Sequence, residues 1–167
     1  MKRGTENNPF HILLVEDNPA DADLIREALD EPGHPIHQLA VATDGDEAMR
    51  FLRREGSYAS AFEPDLMLLD LNLPKKDGRE VLTEVRADPE LTHLPVIILT
   101  SSEAERDLTF SYRLHANCFV SKPLDLDGFF AVLRALTQFW LSTAKLPPRM
   151  AGPGPLPESA NAPAALE

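Results

Sequence analysis

Four short apolar runs in this chain each lead into a group able to do chemistry. Ile12-Leu13-Leu14-Val15 runs into Glu16-Asp17-Asn18, and Leu66-Met67-Leu68-Leu69 runs into Asp70. Val96-Ile97-Ile98-Leu99 runs into Thr100-Ser101-Ser102, and Phe119-Val120 into Ser121-Lys122-Pro123. Short runs of this kind read as buried strands, and the residue just past each lies at the strand's carboxyl end. In an open parallel sheet, ligands bind outside that end. Carboxylates, a hydroxyl and an amine would therefore converge on one small site.

The chemistry of such a set is restricted. Two carboxylates about 4 Å apart repel by roughly 4 kcal/mol at an effective dielectric near 20. A divalent cation relieves this, and an all-oxygen ligand set makes Mg²⁺ the natural choice. A carboxylate beside Mg²⁺ can attack phosphorus and form an aspartyl phosphate. Phosphoryl transfer mostly needs positioning and neutralisation of charge on the transferred oxygens. Lys122 can supply one positive partner as a point charge, and the Thr100 hydroxyl can donate to another oxygen. Ser101 is small and leaves room for the group. The bond before Pro123 is of the type that tolerates the cis form, which would aim Lys122 inward.

The elements that must hold these groups follow from the pattern. Strands are expected at 12–15, 38–42, 65–70, 96–100 and 118–120. Helices are expected at 20–29, 47–54, 78–87, 103–114 and 125–143. Asn18 and Pro19 open the first helix as cap and first-turn residue, while Pro32, Gly33 and Pro35 end it. Thr43-Asp44-Gly45-Asp46 reads as a turn and cap. The helix at 103–114 carries a thin apolar stripe. Strand and helix alternate five times, which predicts an α/β fold, a five-stranded parallel sheet covered by helices on both faces. Residues 9–146 form the expected domain. The Pro-, Ala- and Gly-rich stretch 147–167 cannot bury a core and is expected to be a disordered tail.

Composition narrows the function. The 167 residues include 16 basic and 27 acidic ones, a net charge of -11. That balance argues against non-specific nucleic-acid binding and anionic membrane surfaces. The single cysteine, Cys118, excludes a disulfide framework or zinc cluster and reads as a small core hydrophobe. The N-terminus lacks the apolar core of a signal peptide, and no apolar stretch is long enough to span a bilayer. A cytoplasmic protein is the expectation. His11, His34, His37, His93 and His115 are scattered without metal spacing. Lys75, Lys76 and Asp77 read as a loop that is solvated or touches a partner.

With order and spacing set out, the chain resembles the receiver domain of two-component response regulators. The resemblance implies a doubly wound, flavodoxin-like sheet of order 2-1-3-4-5. It implies that Asp70 is the phosphoacceptor, that Glu16 and Asp17 are the acidic pair with Asp17 directly on Mg²⁺, and that Asn72 offers its backbone carbonyl to the metal. Thr100 would be the switch hydroxyl, Lys122 the active-site lysine and Phe119 the switch aromatic, where a Tyr is commoner. On phosphorylation the hydroxyl would move to the phosphoryl oxygen and the ring would turn inward. Finer features resemble the phytochrome-associated response regulators: Asn8-Pro9-Phe10-His11-Ile12, Asn18-Pro19-Ala20-Asp21, Lys122-Pro123-Leu124-Asp125-Leu126-Asp127-Gly128-Phe129-Phe130, Phe139-Trp140-Leu141 and Lys145-Leu146-Pro147. The implied partner is a sensor histidine kinase, in this subfamily a light-sensing bacteriophytochrome.

Two features set expectations about output. No effector domain is read after the last helix, so output is expected through contact with a downstream protein or through relay. On a helical wheel Leu126, Phe129, Phe130, Leu133, Leu136, Trp140 and Leu141 form a core stripe, and Val132 and Phe139 widen it past the usual arc. Surplus apolar surface of that kind predicts a partner face, here a homodimer through the last helix, with a tail folded over it as the alternative. Two rival functions remain open. An aspartyl-nucleophile phosphatase would want a second Asp two residues after the first, where this chain has Asn72. A receiver-like interaction module would be expected to lose the acceptor or the lysine, and both are present.

Overall fold

The computed structural model describes residues 2–149. The strands are β1 (Phe10–Val15), β2 (His37–Ala42), β3 (Leu66–Leu69), β4 (Val96–Thr100) and β5 (Cys118–Ser121). The helices are α1 (Pro19–Leu29), α2 (Gly45–Arg53), α3 (Gly78–Ala87), α4 (Glu105–Arg113) and α5 (Leu126–Gln138). All strand pairs are parallel and the order is β2-β1-β3-β4-β5, the doubly wound arrangement that the alternation predicts.

Side chains alternate across a strand with period two, and here the alternation sorts the core into two layers. Ile12, Leu14, Leu66, Leu68, Ile97 and Leu99 face Ala22, Ile25 and Leu29 of α1 and Phe129 and Leu133 of α5. Leu13, Val15, Met67, Leu69, Val96 and Ile98 face Ala48, Met49 and Leu52 of α2 and Val81, Leu82 and Val85 of α3. Both faces of the central strands are buried, which is why those strands read as unbroken apolar runs.

Helix starts are fixed by side-chain caps. Asn18 accepts from the amides of Ala20 and Asp21, Asp44 from Glu47, and Asp125 from Gly128. Asp77 and Glu80 form a reciprocal capping box at α3. Gly78, just inside that helix, has a steric reason: a Cβ there would lie 2.1 Å from the Asp70 carbonyl oxygen. The acceptor loop and α3 can pack this closely only because the side chain is missing.

Three sequence expectations change. The chain at the end of α5 widens into a π turn over Phe139–Thr143 rather than continuing as one helix. Leu126, placed in the core stripe, is 56 % exposed as the first residue of α5; it precedes the turn that first meets the sheet. Lys75 and Lys76 are pinned as well as solvated, through Asp44 at 3.4 Å and Glu84 at 2.6 Å respectively. The expected tail lies outside the described residues from 150 on. Its first part, 147–149, lies against the domain. Arg149 pairs with the buried Asp65 at 2.7 Å and donates to the Pro9 carbonyl and Asn8 Oδ1, while Arg3 pairs with Asp65 at 3.0 Å and donates to the carbonyls of Leu146 and Pro147. No helix among the described residues is long and apolar enough to cross a membrane.

Candidate phosphoacceptor site

The strand ends bring Glu16, Asp17, Asp70, Thr100 and Lys122 together as the sequence predicts. Ligand oxygens of Glu16, Asp17 and Asp70 lie within 4.8 Å of one another, with Asp17 exposed and the other two buried. Three hard carboxylates at that spacing fit a divalent cation and would repel one another without a positive partner. Lys122 reaches into the cluster from β5. Its Nζ donates to Glu16 Oε2 at 2.5 Å, Asp21 Oδ2 at 2.9 Å and Asp70 Oδ2 at 3.2 Å.

The electrostatics follow from this crowding. Burial pushes the Glu16 carboxyl up to about 7, against the hydrogen bond and charge of Lys122, and the neighbouring Asp70 charge adds to the rise. Burial alone would lower the Lys122 ammonium. The hydrogen bonds to Glu16 and Asp21 and the charges of Asp70 and Glu16 outweigh it and hold the amine above its ordinary value. Lys122 therefore stays a fixed cation at any physiological pH, inside a cluster that carries more negative charge than it can balance.

Asp70 is held on its other oxygen. The Thr100 hydroxyl donates to Asp70 Oδ1 at 2.8 Å, and the Asn72 amide donates to the same oxygen at 3.1 Å. The Thr100 hydroxyl thus already faces the acceptor. Phe119 rests partly buried against the α2–α3 layer of the core. No peptide bond among the described residues is cis, so Lys122 is aimed through a trans bond before Pro123, drawn in by three carboxylates.

Two groups of residues escaped the sequence reading. Asp21, in the first turn of α1, grips Lys122; its place four residues after Asp17 was the available signal. Arg79 and Asp107 are the second group; they join Ser102, the residue two places past Thr100, in a network beside the acceptor. The Arg79–Asp107 contact spans 28 residues of sequence, and no local pattern announces it.

The geometry is that of a phosphoryl-accepting α/β switch. Residues 12–134 match the model of the response regulator receiver domain, and the chain belongs to that family. It is 46 % identical over 141 residues to Response regulator Rcp1 of Synechocystis sp., covering 84 % of this chain and 95 % of that protein. The crystal structure of the Mn²⁺-bound form of Rcp1 superposes with a TM-score of 0.81, covering 84 % of this chain and 100 % of that one. The phosphorylated cyanobacterial phytochrome response regulator RcpA is 51 % identical with a TM-score of 0.80, covering 83 % and 99 %. The bacteriophytochrome response regulator AtBRR is 45 % identical with a TM-score of 0.63, covering 78 % and 94 %.

Proposed function

We propose that this chain is a response regulator that accepts a phosphoryl group on Asp70 from the phosphohistidine of a sensor kinase, with Mg²⁺ as the metal. The observation that carries the reading is the convergence of three carboxylates, one ammonium and one hydroxyl on a single buried aspartate. A carboxylate oxygen of Asp70 attacks phosphorus as the donor's P–N bond breaks, and the donor imidazole leaves with that electron pair. Lys122 neutralises charge on the transferred oxygens and orients them, and the Thr100 hydroxyl donates to one of them. Glu16, Asp17, Asp70 and the backbone carbonyl of Asn72 would hold the metal, which when bound supplies further positive charge at the phosphoryl oxygens.

Repositioning of Thr100 and Phe119 around the phosphoryl group would pass the signal to the α4–β5–α5 side, a two-state shift biased by local contacts. The likeness to phytochrome response regulators supports a phytochrome-type histidine kinase, in the bacteriophytochrome class, as the donor. A phosphatase reading is disfavoured because position 72 is Asn, and an inert module because acceptor and lysine are both in place. Exposed Leu126 at the start of α5 and exposed Phe139 just past its end support a homodimer through that helix, with a downstream protein as the recipient of the signal in a cytoplasmic pathway.

The direct test is labelling by a phosphorylated histidine kinase. A hydroxylamine-sensitive label should appear on the wild-type chain, vanish in excess chelator and be missing from Asp70→Asn. Label retained on Asp70→Asn overturns the acceptor assignment.

A further inference from the structure

A second polar network runs from the acceptor to α4, and the transfer chemistry does not use it. The Thr100 hydroxyl, which donates to Asp70, also accepts the Ser102 amide at 3.3 Å. The Ser102 hydroxyl turns the other way and donates to Asp107 Oδ2 at 2.5 Å. Asp107 is gripped from its far side by Arg79 of α3, whose Nε and Nη2 donate to Oδ1 and Oδ2 at 2.8 and 2.7 Å. A bidentate pair of this kind fixes the plane of the carboxylate as well as its position.

The network does not serve ordinary packing. The residues that α4 buries are Asp107 and Ser111, both polar, while Leu108, Phe110 and Tyr112 are exposed. Its N-cap, Ala104, makes no side-chain cap bond. Asp107 is 4 % exposed, and the Arg79 guanidinium, outweighing burial, holds its carboxyl down at about 2. The first turn of α4 and the loop of residues 101–104 are therefore tied to α3 through one ionised carboxylate, beside the Ser102 amide's bond to Thr100.

Ser102 sits two residues past Thr100, at the mouth of the acceptor site. Its hydroxyl donates to Asp107 and accepts from the Ala104 amide at 3.4 Å, so without Asp107 its proton loses that acceptor and the side chain is less restrained from turning toward Asp70. Hydrolysis of an aspartyl phosphate forms a bond from a water oxygen to phosphorus and breaks the bond from phosphorus to the Asp70 oxygen. The carboxylate leaves with the electron pair, and a water proton passes to the phosphate. A hydroxyl free to accept from that water speeds the step, and one committed elsewhere does not.

We propose that Asp107 is a positioning residue that prolongs the phosphorylated state of Asp70 by holding the Ser102 hydroxyl and its loop away from the phosphoryl group, with Arg79 fixing Asp107 in place. This rests on Asp70 being the phosphoacceptor.

The test uses the full chain labelled with radioactive acetyl phosphate and Mg²⁺, freed of donor, and followed as the label decays. Asp107→Ala is expected to shorten the half-life about fivefold, the rate equivalent of one hydrogen bond. Asp107→Asn keeps an oxygen for the Ser102 hydroxyl and should stay within about twofold of wild type. Because Asp107 acts through Ser102, the Ser102→Ala/Asp107→Ala pair should decay no faster than Ser102→Ala alone. If circular dichroism shows that Asp107→Ala does not fold, Arg79→Gln leaves the carboxylate unclamped and should shorten the half-life in the same sense. An unchanged half-life in the folded variant, an Asp107→Asn decay as fast as Asp107→Ala, or additive effects in the pair overturns the proposal. No label on the wild-type chain overturns the acceptor reading itself and is seen before any decay is measured.

Discussion

Neutralising the acceptor should make the metal-free protein more stable, even though it abolishes phosphorylation. Asp70 lies within 4.8 Å of ligand oxygens on Glu16 and Asp17, so each pair repels by at least ~3.5 kcal/mol at an effective dielectric of about 20. Against this stands one attraction, to Lys122 Nζ at 3.2 Å, worth ~5 kcal/mol on the same scale. Asp70→Asn removes all three and leaves a net gain of ~2 kcal/mol. The amide oxygen can still accept from Thr100 and Asn72, and Lys122, losing its acceptor on Asp70, keeps those on Glu16 and Asp21. For a domain of this size the gain corresponds to a rise of ~4–8 °C in Tm. The assay is thermal unfolding of wild type and variant in excess chelator at pH 8, above the raised value of about 7 at Glu16. Titrating Mg²⁺ should then close the gap, because a cation that binds the folded wild type more tightly than the variant stabilises it more. A variant that melts below wild type in chelator, or a gap that Mg²⁺ leaves unchanged, refutes the reasoning.

Other expectations follow from the same geometry. Asp107 titrates at about 2 in the folded chain against about 3.9 when unfolded. Its contribution is complete above pH ~4 and disappears as pH falls toward ~2; allowing for solvent screening it is ~1 kcal/mol. Asp107→Asn should lose that slope in acid melts, and identical acid limbs for variant and wild type would contradict it. Thr100→Ala should still take label on Asp70 but lose the response at Phe119 and α5. NMR shift changes on phosphorylation that match wild type would reject the coupling. Phe139→Glu, at a side chain 51 % exposed, should give a folded monomer that still takes label. Sedimentation showing the wild type to be monomeric at tens of micromolar would remove the dimer.

Much of this was legible in the residues. Buried parallel strands read as apolar runs, so Leu66–Leu69 and Val96–Thr100 declared themselves, and the groups that follow them had to meet above the sheet. Caps were equally plain at Asn18, where a short polar side chain precedes Pro19. What stayed hidden depended on partners far away in sequence. Asp107 carries no local signal in a helix with only a thin apolar stripe, and its buried role comes from Arg79 and Ser102 folded beside it. Leu126 looked like core because its spacing fits the wheel, yet the helix begins there, before its axis has reached the sheet. The π turn at Phe139 has no period of its own in the sequence. Arg149 lay in a stretch whose composition speaks for disorder, and its ion pair with buried Asp65, together with bonds to Pro9 and Asn8, outweighs composition at that residue.

That ion pair has a topological consequence. Asp65 precedes β3 and Asp70 follows it, so the two stand at opposite poles of the sheet, ~16 Å apart at strand rise. Arg3 and Arg149 both close on Asp65, and the two ends of the described chain are thereby lashed together beneath the sheet. Residues 3–149 are close to a closed ring whose seam faces away from the phosphorylation chemistry. A fluorophore or a surface tether attached at that seam would report on or immobilise the protein without standing in the path of an incoming kinase. Joining the chain covalently across Arg3 and Arg149 and opening it at an exposed loop elsewhere should leave the switch intact.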